Sequence, residues 1–231
     1  MEIEKGQLGR ENTLKLGILG GTFDPIHLGH LRVAEEVGED FELQKVYLIP
    51  AAVPPHKEGK PITPFHHRLE MTRIAAEESP LLEALDLEGR RQGLSYSIDT
   101  LREFHRLYGE HLDLYFILGM DAFLEIGTWK EYGNLFHYAN FLVISRPGFH
   151  SEEIGAYLST LGMDFRPGGE KTTFIVSSGN RVIYKRATLI DISSTEIRKR
   201  VSRNKSIRFL VPEKVRKYII QKGLFRDHGD S

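Results

Sequence analysis

The chain of 231 residues contains no cysteine, which excludes disulfides, thiolate nucleophiles and cysteine-based zinc sites. It has no large excess of either charge. Lys and Arg number 31 and Asp and Glu 32, a formal charge of −1, so there is no general attraction to nucleic acid or to an anionic membrane. No apolar run reaches transmembrane length, and the opening "MEIEKGQLGRENTLKLG" lacks the apolar centre of a signal peptide. A cytoplasmic protein without membrane or nucleic-acid partners is the expectation. The familiar catalytic and phosphate signatures are missing too. There is no HExxH, GxGxxG or GxxxxGK[ST], and "GLSYS" at 93–97 is not a GxSxG elbow.

What remains is 40% hydrophobic and arranged in alternation. Residues 1–14 are polar and read as an N-terminal extension. "LKLGIL" from Leu14 is a continuously apolar strand of the kind buried on both faces of a parallel sheet. In "GHLRVAEEVGEDF", Leu31, Ala34 and Val37 recur at helical spacing. "KVYLIPA" predicts a second strand and "AVPPHKEGKPITP" an exposed loop. "FHHRLEMTRIAAEE" predicts a helix, "LLEALDLE" a third strand, and "SYSIDTLREFHRLYG" a helix with Ile98, Leu101 and His105 on one side. "LDLYFILG" is a strong fourth strand. "DAFLEIGTWKEYGNLFHYA" reads as helix, break and helix, with Trp129 starting the second, and "NFLVISRPG" is a fifth strand.

Five alternations of strand and helix argue for an α/β fold with a doubly wound parallel sheet. Residues 15–231 read as a single domain, with an elaboration over 150–191 and C-terminal helices over 192–226. In the elaboration, "HSEEIGAYLSTLG" predicts a helix. "TTFIVSSGNRVIYKRATLID" predicts an inserted hairpin turning near Ser178-Gly179-Asn180, then a further strand. Ligands of such sheets sit beyond the carboxyl ends of the strands, where the opening motif, the loop at 51–64, "GMD" at 119–121 and "SRPG" at 145–148 would converge.

The stretch "LGILGGTFDPIHLGH", residues 16–30, places two histidines three apart just past a glycine turn. As a metal pair, His27 and His30 would need further ligands, and none stands at an obvious spacing. As ordinary partly buried histidines they would do nothing special. As a phosphate cradle every residue type has a use. Gly20 and Gly21 allow close backbone approach and positive φ. The following helix start supplies N–H groups and partial positive charge. The histidines donate to charge as it develops. "ISSTEIRKR" offers the same physics at the far end. Ser193 and Glu196 match the S-x-x-E capping box, and Ser194, Thr195 and Arg198 would seat phosphates. The basic run "RKRVSRNKSIR" reads as a solvated face, with a nucleic-acid patch only weakly supported.

"GGTFDPIHLGH" resembles the (H/T)xGH motif of the nucleotidyltransferase superfamily, and in this form is similar to the bacterial nicotinate-nucleotide adenylyltransferases. "PPHK" (54–57), "SYSIDTL" (95–101), "LGMDAF" (118–123), Trp129, "SRPG", "ISSTEIR" and "VPEKVRKYIIQKGLF" follow in the order that family shows. Ser97 stands where the family usually has threonine, and the stretch around 165–186 is longer than expected: a lid edge, an oligomer contact or decoration.

The resemblance implies a Rossmann-like nucleotidyltransferase fold and adenylyl transfer from ATP to nicotinate mononucleotide, with Mg²⁺ carried by the phosphates and no protein metal ligand. It implies an ATP half made of Gly20, Gly21, Thr22, Phe23, His27, His30, Gly119, Asp121, Ser193, Ser194, Thr195 and Arg198, with His27, His30 and Arg198 catalytic. Asp121 reads equally well as a helix N-cap. The acceptor half would use His56, Lys57 and Arg146 for the mononucleotide phosphate, and Trp129 to stack on the pyridine ring. Ser97 with the amides near Trp129 and Lys130 would meet the ring carboxylate. Rivals are an enzyme acting on nicotinamide mononucleotide or phosphopantetheine, and a nucleotide-binding regulator without catalysis. A homo-oligomer is compatible with the sequence.

Overall fold

A computed structural model describes residues 13–55, 61–145, 150–188 and 190–226. Six parallel strands and an antiparallel pair form one sheet. They are β1 (Leu14–Gly21), β2 (Lys45–Pro50), β3 (Leu82–Ala84), β4 (Leu112–Gly119), β5 (Asn140–Ile144), β6 (Phe165–Pro167), β7 (Thr173–Val176) and β8 (Arg181–Lys185). Their order is β3-β2-β1-β4-β5-β8-β7-β6. From β1 the chain winds outward to β2 and β3, and then returns to add β4 on the other side. The order reverses between β1 and β4, which opens a crevice beyond their carboxyl ends.

The helices are α1 (Leu28–Asp40), α2 (Phe65–Ala76), α3 (Ser97–Tyr108), α4 (Met120–Phe123), α5 (Tyr132–Tyr138), α6 (Glu152–Thr160), α7 (Ser194–Ser202) and α8 (Glu213–Gln221). They cover both faces because the strands alternate their apolar side chains. In β4, Leu114, Phe116 and Leu118 join one core with Leu101 and Phe104 of α3 and Phe136 of α5. Tyr115 and Ile117 join the other, with Ala34 of α1, Met71 of α2, Ile197 of α7 and Val215 of α8. No helix among the described residues is long and apolar enough to cross a membrane.

The segment 150–191 differs from expectation in an instructive way. The hairpin forms, but it is the continuation of the sheet. Strand β8 pairs parallel to β5, and β7 and β6 follow antiparallel. A polar lock fixes this junction. The Asn140 side chain donates to Asp113 at 2.6 Å and accepts from the Arg181 amide at 3.0 Å, while Arg181 also donates to the Tyr115 hydroxyl at 2.6 Å. Among the described residues no further strand follows β8, and Ile192 folds back to donate to the Ile190 carbonyl at 2.7 Å, a bond no strand would make.

Candidate active site

A cavity of about 870 Å³ occupies the crevice at the reversal of strand order. Gly20, Gly21 and Thr22 at the end of β1 line it, with His27, Gly29 and His30 at the start of α1. Gly119 after β4, Ser97 starting α3, Trp129, Lys130, and Ser193 with Ser194 at the start of α7 complete much of the wall. Three helices of nine residues or more, α1, α3 and α7, thus begin at this cavity. Their orphan N–H groups and partial positive charge make it anion-seeking with few basic side chains.

The expected positive φ falls neither on Gly20 nor on Gly21, both of which lie in β1; it falls on Phe23, at 48°. The glycines answer to space instead. A Cβ on Gly21 would come within 2.9 Å of the Phe23 ring, and one on Gly20 would meet nothing closer than the Phe116 ring edge at 3.9 Å. Gly20 is therefore open floor. Gly29 is required by its neighbours: an added Cβ would approach the His27 ring and the Ile190 carbonyl at 3.1 Å each.

His27 is buried and stacks on His30, with ring centroids 3.6 Å apart. Phe23 meets His30 edge-on at 5.0 Å and supports it from behind. His30 Nδ1 accepts from the His27 amide at 3.3 Å, which keeps the proton on Nε2 and leaves that N–H for a ligand. Burial lowers His27 to about 4, and burial together with the His27 charge holds His30 well below the ordinary imidazole range. Both rings are neutral donors at pH 7. His27 Nδ1 is buried with no protein partner among the described residues. Those residues also hold no cluster of three imidazole or carboxylate groups suited to a metal ion.

The two motifs meet directly. Ser194 donates to the Pro25 carbonyl at 2.8 Å, and Arg198 to the Asp24 carbonyl at 2.7 Å. Ser193 caps α7 by accepting from the Glu196 amide at 3.1 Å. The guanidinium of Arg198 is thus engaged by the Asp-Pro turn and by Thr195 Oγ1 at 3.3 Å. Arg198, Thr195, Phe23 and Asp121 do not line the cavity. Asp121 is also not an N-cap. Gly119 holds that position, and Asp121 sits in the first turn of α4.

On the acceptor side, Lys130 lies 4.6 Å over the Tyr96 ring and donates to Asp99 at 3.3 Å. Trp129 packs edge-on against Phe116 at 6.2 Å. It closes the 3₁₀ turn Ile126–Thr128 and does not start a helix; α5 begins at Tyr132. Its amide already donates to the Ile126 carbonyl at 2.9 Å, so the expected pair of amides reduces to that of Lys130. The start of α3, carrying Ser97, also lines this side of the cavity. His56, Lys57 and Arg146 lie outside the described residues.

Two buried charges, one in this wall and one behind it, escape the reading of the sequence above. Glu88 lines the cavity four residues past β3. Its Oε1 accepts from Thr100 at 2.8 Å, while its Oε2 is buried with no hydrogen-bond partner among the described residues. Burial raises its pKa in spite of the Thr100 hydroxyl and the Arg91 charge. Arg68 of α2 is fully buried and donates only to carbonyls: Thr63 at 2.8 Å, Thr22 at 2.8 Å, Ala51 at 2.6 Å and Ala52 at 3.0 Å. Burial lowers its pKa, against the pull of Asp24 and Glu88. The position of Glu88 just beyond a strand end was a usable signal. Nothing in the helical pattern of α2 distinguished Arg68 from a surface arginine. Ile190 and Asp191, at the end of the stretch expected to be a further strand, also line the cavity, as does Ile192.

The cytidylyltransferase-like family profile matches residues 18–200. A protein of Desulfatibacillum aliphaticivorans, named a probable nicotinate-nucleotide adenylyltransferase, is 46% identical over 221 residues, covering 92% of this chain and 100% of its own. A protein of the same name from Geotalea daltonii is 42% identical over 215 residues, covering 93% and 99%. Among solved structures, Plasmodium falciparum nicotinic acid mononucleotide adenylyltransferase complexed with NaAD aligns with a TM-score of 0.70 at 23% identity. That alignment covers 91% of this chain and 97% of the other, and the likeness is one of fold.

Proposed function

The chain belongs to the cytidylyltransferase-like family and, within it, to the nicotinate-nucleotide adenylyltransferases, and from that premise we propose how its own residues transfer an adenylyl group from ATP to nicotinate mononucleotide. The products are nicotinate adenine dinucleotide and pyrophosphate, a step of NAD biosynthesis. The observation that carries the reading is the junction of the two motifs, in which α1 and α7 start side by side through the Ser194–Pro25 and Arg198–Asp24 bonds. Two helix starts and two neutral imidazoles facing one cavity suit a polyphosphate.

The acceptor's 5′-phosphate oxygen attacks the α-phosphorus of ATP. A P–O bond forms there as the bond to the bridging oxygen of pyrophosphate breaks. The nucleophile is already an anion, so no protein base is required. Catalysis is then positioning and charge stabilisation. His30, with its proton on Nε2, donates to the oxygens around the α-phosphorus, and His27 stacks behind it. Phosphate charge draws both rings toward protonation, opposing the burial that keeps them neutral in the free protein. Ser193, Ser194 and the start of α7 hold the leaving pyrophosphate, and Gly20 and Gly119 admit the nucleotide backbone closely. Arg198 acts by holding α7 against the Asp-Pro turn, and Thr195 and Phe23 support the same wall. Mg²⁺ would travel on the phosphates and water, as its ligand preferences allow.

In the acceptor half, Trp129 stacks on the pyridine ring. Ser97, the start of α3 and the Lys130 amide receive the ring carboxylate. His56, Lys57 and Arg146 supply cations for the mononucleotide phosphate. An all-donor seat favours a carboxylate over a carboxamide, whose NH₂ would face donors. Pyrophosphate release with ATP and each mononucleotide tests this. Nicotinate mononucleotide should be preferred in kcat/KM by about 10²-fold. Equal use of nicotinamide mononucleotide would sink the specificity assignment, and absence of turnover with both would sink the activity.

A further inference from the structure

Strands β1 and β2 run side by side as far as the pair Gly21 and Pro50, and the Ala51 amide still donates to the Gly21 carbonyl at 2.8 Å. There they part. Thr22 continues along the nucleotide wall and Ala51 along the acceptor wall of the same cavity. Carbonyls at such a divergence lose their ladder partners and need others. One side chain takes them over. Arg68, on α2 and 1% exposed, places Nη1 2.8 Å from the Thr22 carbonyl and 2.6 Å from that of Ala51. Its Nη2 donates to Ala52 at 3.0 Å and its Nε to Thr63 at 2.8 Å. Thr63 lies at the far end of the connection that begins at Ala51, and its amide donates to the Asp24 carboxylate at 3.3 Å. Both ends of that connection are thereby tied to the Gly-Gly-Thr-Phe-Asp motif. The arginine is itself held, with the Thr72 hydroxyl donating to its carbonyl at 2.8 Å and the Phe65 ring 5.5 Å from its guanidinium carbon.

We infer that Arg68 is a positioning residue for the transfer: by bridging the Thr22 and Ala51 carbonyls it fixes the spacing of the nucleotide and acceptor walls. The inference rests on the two halves assigned above. The α-phosphorus and the attacking phosphate oxygen are held by opposite walls, so their approach depends on that spacing. Arg68 does not line the cavity, and its four bonds all go to backbone carbonyls, so it acts through the walls alone. The geometry calls for a guanidinium. Its N–H groups leave three nitrogens in one plane and can serve four carbonyls at once. A lysine keeps the charge but donates three N–H groups from a single point, and must release at least one carbonyl. Each wall keeps its own remaining support. Ser194 and Arg198 still tie α7 to the Asp-Pro turn, and Val53 still exchanges bonds with Ser95, its amide to Oγ at 3.1 Å and its carbonyl from the Ser95 amide at 2.9 Å. Loss of the bridge should therefore spoil the approach of the two substrates and spare the binding of each.

The test compares the parent chain with Arg68→Lys and Asp24→Asn, each first checked for folding by circular dichroism. Affinity for ATP alone is measured by calorimetry. Affinity for nicotinate mononucleotide alone is read from the fluorescence of Trp129, the only tryptophan. Turnover is then measured with both substrates. Arg68→Lys should lower kcat about 10–10²-fold while both Kd values stay within about threefold. Asp24→Asn keeps its shape but weakens the hold on Thr63, and should lower kcat by less, about threefold, with both Kd values unchanged. If Arg68→Lys does not fold, Asp24→Asn carries the test alone. In a folded variant, a kcat equal to the parent's, or a rise in either Kd as large as the fall in kcat, would overturn the positioning role and leave the activity standing. A purely structural arginine would lower the melting temperature without that split between kcat and Kd. A parent that fails to turn over the two substrates would overturn the activity, and this role with it.

Discussion

The two halves of the cavity are built from different materials. The nucleotide half is made at the ends of regular elements: the last residues of β1 and the first turns of α1 and α7. Its shape comes from backbone, from a glycine that leaves space and from two stacked rings. The acceptor half is made of connections. Ala51–Val53 and Trp129–Lys130 carry little regular structure of their own, Ser97 only begins α3, and the buried charge of Arg68 holds the carbonyls of Ala51 and Ala52. A phosphate site needs dipoles that never move, so regular elements suffice. A site that recognises one ring substituent needs side chains from several loops, and the fold must then tie those loops down.

The largest way to break this contrast is His30→Ala. If the nucleotide half supplies charge stabilisation, kcat should fall about 10²–10³-fold while KM for the mononucleotide changes little. Steady-state kinetics with both substrates would show it, and an unchanged kcat would remove the imidazole from the chemistry.

Acid sensitivity follows next. Folded His27 titrates near 4, and an unfolded imidazole near 6.5. Between those values the unfolded chain binds the extra proton, so this contribution to stability is complete above pH 6.5 and is lost as the pH falls toward 4. The loss should reach about 3 kcal/mol over that window for His27 alone. Urea unfolding at stepped pH would measure it, and His27→Gln, which cannot titrate, should flatten the slope. An equal slope in both proteins would assign the effect elsewhere.

The smallest of the three falls on the acceptor side. Trp129→Leu keeps an apolar contact with Phe116 but removes the flat indole. It should raise KM for the mononucleotide about tenfold and leave kcat nearly intact. A loss shared by both halves would mean that the wall folds as one unit.

The same contrast governs what could be read from the sequence. Continuous apolar runs such as "LDLYFILG" announced the parallel strands, and the alternation of strands and helices announced the crevice. "GGTFDPIHLGH" and "ISSTEIR" were legible because each is one short piece of backbone geometry with its cap. The positive φ was misplaced because a Gly-Gly pair invites it. Here the spatial demand of the Phe23 ring accounts for Gly21, and the strain sits on Phe23 itself. The end of "TTFIVSSGNRVIYKRATLID" looked like a strand by composition, yet Ile190 and Asp191 line the cavity instead. Arg68 was invisible because burial of a charge is decided by partners from elsewhere in the chain and helical periodicity carries no trace of them, whereas Glu88 was signalled only by its place just beyond a strand end.

The bonds from α7 to the Asp-Pro turn span 169 and 174 residues of sequence. During synthesis the glycine floor and both histidines leave the ribosome long before the helix that closes over them. A nascent chain can pair β1, β2 and β4 and still lack a seat for pyrophosphate. The seat for pyrophosphate is therefore completed only when α7 docks, and a chain cut short after β8 would lack both that seat and the Ile197 and Val215 side chains of the second core.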